Sequence, residues 1–423
     1  MIRTVVVAAV VLLLAQPGAA QSDRATISGT VTDTSGAAVP NALVEATSAQ
    51  TGLHRTTNST ASGTYRLAGL PIGTYNLKVS KTGFRATAFD NIVLTVGEER
   101  TMDARLEIGS ISQSIEVNAS AEAVNRSSAE VSGVIGSEQI RDMPSDGRDW
   151  SSLMALAPGA IDDGGSDQHS IRFNGNSRDD NNFTFDGVDA SGVQEGPQKS
   201  DARLNISLEA IAEFRVSTSV YTAESGSSAG AQVNVVSKTG TNQFHGGVFE
   251  FFRNEDLDSR SPFDPKRLPP FKMNQFGGSF GGPIRRNRTF FFTTYEGLRQ
   301  ELGSTRIATV PSAAVRAQVL AASPQLTSVI NLYPVGQTPI NANANQYSTT
   351  GLNIAHEDSG MIRVDHRFTD STNAYIRYNT DAVDKTAPNG ALGAHDVAVW
   401  TLNSETTSAI GVHAWPTVLR ASS

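Results

Sequence analysis

The chain is 423 residues long, 39% hydrophobic and 18% charged, with a formal net charge of -8. That length holds two or three domains rather than one core, and the acidic balance excludes a nucleic-acid-binding protein, which would present a basic face. Cysteine is absent, which removes disulfides, thiolate metal sites and cysteine nucleophiles together.

Residues 1–20 carry a basic start at Arg3, an apolar run from Val5 to Ala15 and a small-residue end at Gly18-Ala19-Ala20. This is the pattern of a secretory signal peptide cleaved after Ala20. No other stretch reaches the roughly 18 apolar residues of a transmembrane helix, so entry into a membrane would have to be by strands. Export without helical spans points to the periplasm or the outer membrane.

Residues 25–107 read as short strands separated by turn residues, the signal of a β-sandwich. Ile27, Gly29 and Val31 alternate with Ser28, Thr30 and Thr32; Ala42, Val44 and Ala46 repeat the period, as do Tyr65 and Leu67, then Tyr75, Leu77 and Val79, then Ile92, Leu94 and Val96. A period of two puts each set on one face, turned to a shared core. The motifs Gly29-x-Val31-x-Asp33, Gly63-x-Tyr65, Leu70-Pro71-x-Gly73-x-Tyr75 and Gly83-Phe84 resemble the carboxypeptidase regulatory-like (transthyretin-like) domain. No peptidase chemistry accompanies them. His54, His169, His245, His356, His366, His395 and His413 are scattered, and no His-x-x-Glu or His-Glu-x-x-His pair exists to hold zinc.

Residues 108–119 form a linker with Ile111, Ile115 and Val117 as apolar members, and 120–240 are mixed α and β. Ser137 is placed to cap a short helix reaching Met143. Trp150, Leu153, Met154 and Ala157 recur at helical spacing before Pro158, and read as core. Ile171 to Gly175 and Phe183 to Val188 are strand-turn units, and Phe214, Val216, Thr218 and Val220 alternate after a short helix at 208–212.

Ala229 to Asn254 then passes from a Val-rich strand through a break at Thr239-Gly240-Thr241-Asn242 into the aromatic run Val248-Phe249-Glu250-Phe251-Phe252. Residues 241–423 keep the alternation of barrel strands, with lipid-facing apolar side chains and lumen-facing polar ones. Ile362, Val364 and Phe368 fall on one face and Arg363, Asp365 and Arg367 on the other; Ala374, Ile376 and Tyr378 oppose Tyr375, Arg377 and Asn379. Residues 311–353, rich in Ala, Ser, Asn and Pro, read as a long external loop.

Taken together these segments resemble a TonB-dependent outer-membrane receptor with an N-terminal carboxypeptidase regulatory-like domain, of the Oar-like kind. The fold class is then mainly β: signal peptide, transthyretin-like β-sandwich, mixed α/β plug domain and incomplete transmembrane β-barrel. Leu153 to Gly159 matches the plug's helix ending in Pro-Gly, and Phe185-Asp186-Gly187-Val188 its Asp-Gly-Val turn. Phe276 to Ile284 and Thr289 to Phe292 match early wall strands, their glycines expected to let plug and wall approach. Ile115-Glu116-Val117-Asn118-Ala119 is similar to a TonB box, the extended segment that adds a strand to the periplasmic partner. A plugged barrel of this kind has about 22 strands, and the residues after 240 supply about four to seven at ordinary strand lengths, so the barrel is not expected to close and the chain by itself is expected not to transport.

The resemblance implies a receptor-transporter in the outer membrane with its N-terminal domain in the periplasm. Its expected partners are a TonB-type energy-coupling protein, outer-membrane lipid and an extracellular ligand of oligosaccharide, siderophore or peptide class. It implies no enzyme, cofactor or resident metal. The alternative is a surface carbohydrate- or protein-binding module in which Tyr65, Tyr75 and Phe84 stack on sugar. Gly226-Ser227-Ser228-Ala229-Gly230 satisfies Gly-x-Ser-x-Gly, but the strand pattern after it is wrong for a nucleophile elbow. Asp162-Asp163, Asp179-Asp180 and Asp186-Gly187 lack the glutamate of a calcium loop.

Overall fold

The computed structural model describes residues 23–109, 114–118, 129–143, 148–162, 171–177, 180–191, 206–220, 229–259, 268–370, 372–389, 398–403 and 409–414. The signal peptide expected at 1–20 lies outside them. The first unit contains β1 (Ala25–Asp33), β2 (Leu43–Ser48), β3 (His54–Asn58), β4 (Thr64–Leu70), β5 (Gly73–Ser80), β6 (Ala86–Leu94), β7 (Glu99–Thr101), β8 (Ala104–Leu106) and β9 (Ser114–Asn118). One sheet has the order β4-β1-β7, with β8 also on β1; the other runs β3-β2-β5-β6-β9. The alternating residues meet between them: Ile27, Val31, Val44, Leu67, Tyr75, Leu77, Val79, Ile92 and Leu94 form one buried cluster.

The second unit begins with β10 (Val131–Gly136) and α1 (Ser137–Asp142), followed by β11 (Ala160–Asp162), β12 (Ile171–Phe173), β13 (Asn182–Phe185), β14 (Val188–Asp189), β15 (Ile211–Ser219) and β16 (Gln232–Ser237). Its sheet has the order β10-β15-β16-β13-β14. Trp150, Leu153, Met154 and Ala157 are all buried in the core, yet the segment Trp150–Leu156 is a 3-10 helix capped by Asp149, whose side chain accepts from the Ser151 amide. Trp150 meets Phe214 edge-on, ring centroids 5.4 Å apart, and Phe183 at 6.4 Å. Two helix expectations change. Gly136, not Ser137, is the N-cap of α1, and the helix expected at 208–212 is a single 3-10 turn, Leu208–Ala210, because β15 has already begun at Ile211.

The third unit is one large antiparallel sheet: β17 (His245–Asn254), β18 (Phe271–Arg285), β19 (Thr289–Pro311), β20 (Thr338–Pro339), β21 (Ala344–Arg367), β22 (Asn373–Asn389), β23 (Ala398–Asn403) and β24 (Ala409–Ala414). Its order is β17-β18-β19-β21-β22-β23, with β20 on β21 and β24 on β22. Among the described residues it is open, with β17 at one edge. Alternation decides its faces. Ile362 and Ile376 are 49% and 58% exposed, whereas their strand neighbours Arg363 and Arg377 are 4% and 2% exposed and face the second unit. Phe292 and Met361 of the wall join the second unit's own core cluster.

The external loop is shorter than the 311–353 expected. β19 runs 23 residues and β21 24 residues, more than twice the roughly 9 to 11 that cross a bilayer. They remain paired up to Pro311 and Ala344. A ladder is held by main-chain hydrogen bonds and needs no apolar face, so polar residues 344–353 pair without showing the alternation that marks a strand. The connection at 312–343 is itself folded, with α2 (Ala313–Ala322) and α3 (Thr327–Ile330).

The glycines of β18 also act differently from expectation. A Cβ at Gly277 would lie 2.3 Å from the Tyr295 carbonyl oxygen and 2.8 Å from the Phe249 ring, one at Gly281 2.5 Å from Phe292, and one at Gly282 2.2 Å from Phe244. They make room for the Phe244, Phe249 and Phe292 rings and, at Gly277, for the main chain of β19. The close approach at the junction itself falls on Gly240, where a Cβ would meet the Phe291 carbonyl oxygen at 2.4 Å and that of Gly282 at 2.7 Å.

Candidate functional site

The Phe185-Asp186-Gly187-Val188 segment is a two-residue hairpin between β13 and β14, with Phe185 paired to Val188 and positive φ at both Asp186 (50°) and Gly187 (76°). Asp-Gly is the sequence this turn demands, since both central residues need left-handed backbone. The turn drives the Asp186 side chain into the wall. Its carboxylate accepts from the Ser237 amide and hydroxyl, both at 2.8 Å, and pairs with Arg363 at 3.1 Å and with Arg377. Tyr375 donates its hydroxyl to the Asp186 carbonyl at 2.8 Å, and Arg377 donates to the Phe185 carbonyl at 3.2 Å.

The two arginines are themselves held. The Arg377 guanidinium stacks over the Phe185 ring at 3.5 Å and that of Arg363 over Tyr375 at 4.2 Å. Arg363 also binds Asp365 and donates to the Ser237 hydroxyl at 2.7 Å. Two carboxylates thus face two guanidiniums in a buried, charge-balanced cluster. Burial by itself would push the Asp186 carboxyl up, but Arg363 and Arg377, with the Ser237 bonds, outweigh it and hold the group below the ordinary carboxylate range.

A second anchor has the opposite polarity, with the cation on the second unit. Arg148 lies 3.3 Å from Glu209 and 3.4 Å from Glu296 of β19, and its guanidinium sits over the Phe249 and Phe251 rings of β17 at 4.0 and 5.0 Å. Glu296 is buried, accepting from Gln275 at 2.7 Å and from Ser207.

The sandwich touches both other units. Arg55 donates to the Asp370 carbonyl at 2.5 Å and to Asn373 at 3.1 Å, Arg367 donates to the Gly52 carbonyl at 2.8 Å, and the Asn242 amide to the Gln50 carbonyl at 3.0 Å. Arg367 and Asn373 lie at the facing ends of β21 and β22 with Asp370 between them, and Gly52 packs against Asn287 in the short turn at 286–288, where a Cβ on it would lie 2.5 Å from the Asn287 side chain. On the second unit, the Val96 amide donates to Glu213, and Arg215 donates to the Val96 carbonyl at 3.2 Å while pairing with Glu130 at 2.9 Å. A cavity of about 420 Å³ lies between the three units, with Asp186, Glu213, Lys238 and Arg363 among its walls.

Of the residues singled out in sequence, Phe185 and Asp186 enter the cluster, while Val188 is partly exposed beside it. Ile115, Glu116, Val117 and Asn118 lie in β9, paired in parallel with Thr87 to Asp90 of β6; Ala119 lies outside the described residues. Tyr65 and Tyr75 are 4% and 1% exposed, their hydroxyls donating to the Met102 and Pro71 carbonyls, so neither can stack on a sugar. Gly226, Ser227 and Ser228 fall outside the described residues, and the next element along the chain is strand β16, not the helix of a nucleophile elbow. Asp163 and Asp179 are likewise outside, and Asp186 is taken by arginine. Sequence reasoning put Arg363, Arg377 and Tyr375 on the lumen side without their partner, and missed Arg148, Glu213 and Glu296. For Glu213 and Glu296 the available signal was a charge among the largely apolar or small residues of a strand; Arg148, just before the 3-10 helix, gave none.

The carboxypeptidase regulatory-like domain model matches residues 26–107, and the outer membrane beta barrel domain model matches 236–420. The TonB-dependent transporter Oar of Myxococcus xanthus is 28% identical over 309 residues, covering 69% of this chain. The chain therefore carries a carboxypeptidase regulatory-like domain followed by residues of an outer-membrane β-barrel domain, and it is similar in sequence to an Oar-type TonB-dependent transporter. The chain spans 28% of the length of that curated relative. Among solved structures, the outer membrane transporter YddB from Escherichia coli is 14% identical with a TM-score of 0.40, covering 60% of this chain and 33% of its own. The alcaligin outer membrane receptor FauA from Bordetella pertussis is 15% identical with a TM-score of 0.35, covering 63% and 41%.

Proposed function

We propose that residues 120–240 are the plug of a ligand receptor-transporter and that the strands from β17 onward are the barrel wall it blocks, with the sandwich of residues 25–107 on the periplasmic side. The observation that carries this reading is the Asp186 cluster: a second-unit carboxylate buried between two wall arginines, which fixes the plug while leaving a polar, breakable contact. An apolar plug-wall interface would have no polar switch. A charged one is costly to leave half-broken, so it favours two defined states, seated and released.

In this reading the folded loop at 312–343 is on the ligand side, because it lies at the opposite end of β19 from the short turn at 286–288 near which the sandwich docks. The ligand is an extracellular oligosaccharide, siderophore or peptide, and a TonB-type protein engages Ile115 to Ala119. The short turns and the docked sandwich then lie together on the periplasmic side, as in outer-membrane barrels, whose periplasmic turns are short.

The test uses Ser217→Cys, a near-isosteric change at a buried position in a chain without cysteine. In outer membranes the introduced thiol should react with a membrane-impermeant maleimide only when an active coupling protein and ligand are present. Equal labelling with and without the coupling protein would sink the transport reading.

A further inference from the structure

We infer that the N-terminal sandwich withholds the coupling strand from its partner; this rests on the reading of 115–119 as that strand and deepens it. Ser114 to Asn118 do not hang free below the plug. They form β9, the outermost strand of the sandwich's five-stranded sheet, in parallel register with Ala86 to Asp90 of β6. Recognition by strand addition draws its affinity from main-chain hydrogen bonds, and here one edge of the segment is already committed to β6.

The placement fits a reversible clasp. A parallel ladder is slightly weaker per residue than an antiparallel one, this one is five residues long, and it lies at the rim of the sheet, so it can detach without opening the core. The sandwich cannot simply follow the strand, since Arg55 and Arg367 tie it to the turn and strand ends of the wall. Capture of the strand by a partner therefore competes with its pairing to β6, and the apparent affinity is the intrinsic one scaled by the fraction released.

The experiment places cysteines at the register partners Ala88 and Glu116 in the full chain, where they are the sole thiols. Detergent-solubilised protein is titrated with the periplasmic C-terminal domain of a TonB-type protein, oxidised and reduced. Locking β9 to β6 should weaken binding at least about tenfold, with recovery on reduction, the size expected when the competent state falls to a tenth. In the wild-type chain, adding the partner should raise hydrogen exchange at 86–90. Equal affinity of the oxidised and reduced forms, with exchange at 86–90 unchanged, would mean the partner adds to the free edge of β9 and would overturn the clasp. Absence of binding in both forms, or binding indifferent to Ile115→Pro, would instead remove the coupling-strand reading, and the clasp with it.

Discussion

The Tyr375 hydroxyl donates to the backbone carbonyl of Asp186 at 2.8 Å across a separation of 189 residues. Tyr375 lies two residues before Arg377 on the inward face of β22, so one strand grips both the main chain and the side chain of the same turn. The hairpin is thus held as a rigid object rather than by one charge pair.

Replacing Asp186→Asn should cost about 3–5 kcal/mol, because it strands Arg377 buried without a carboxylate. The expected readout is faster proteolysis within 129–237 and a lower melting temperature in detergent. The double variant Asp186→Asn/Arg377→Met should recover a large part of the loss, since no buried charge remains uncompensated. If the single variant melts like wild type, the cluster is not what seats the second unit. Because the Asp186 carboxyl is held below its ordinary value, its contribution is present above that value and fades as pH falls through the lowered one.

Glu213 predicts an opposite pH dependence for sandwich docking. Burial raises its carboxyl to about 7, opposed by the Val96 amide and Arg215 and reinforced by Glu98. The docked state therefore binds the proton more tightly than a separated, solvated one, and docking weakens as pH climbs from about 4.5 to 7, then levels off. Complete release of the shift is worth about 3 kcal/mol at most. Protection of the Val96 amide against exchange, corrected for intrinsic rates, should be greater at pH 5 than at pH 8, and Glu213→Gln should flatten the difference. A profile that rises with pH would contradict this assignment.

The features legible in sequence were those set by periodicity. The sandwich core residues Ile27, Val44, Leu77 and Ile92 and the two faces of β21 and β22 were all readable, because a period of two against one apolar phase leaves no other solution. Pairing partners at long range were not. Nothing local tells Asp186 that Arg363 and Arg377 will surround it, and β19 beyond Leu302, from Gly303 to Pro311, pairs without a regular apolar alternation. Helix type was also out of reach: the spacing of Trp150, Leu153, Met154 and Ala157 states which side chains are buried but not how tightly the backbone winds.

Arg316 should be the clasp of the loop between β19 and β21. Its guanidinium donates to the carbonyls of Pro311, Ile330, Tyr333 and Pro334. Buried carbonyls that lose a charged donor cost about 1–3 kcal/mol each if they stay buried, so Arg316→Met should open the loop rather than leave them unpaired. Proteolysis at 324–340 should accelerate while cleavage within 129–237 is unchanged. Equal loss of protection in both regions would show that Arg316 supports more than the loop.

Gly240 gives the sharpest steric forecast. It sits between β16 and β17, and a Cβ there would meet the Phe291 carbonyl oxygen at 2.4 Å, the Gly282 carbonyl oxygen at 2.7 Å and the Phe291 amide nitrogen at 2.9 Å. All three are main-chain atoms of paired wall strands, so no side chain can swing aside. Gly240→Ala must displace either the junction or the β18–β19 ladder, at about 1–3 kcal/mol for an overpacked site. Gly247→Ala in the same segment meets nothing within 4 Å and serves as the control. Hydrogen exchange at Phe290 to Phe292 should increase in the first variant and stay unchanged in the second. If the two behave alike, the close approach at Gly240 is not a constraint on how the second unit enters the wall.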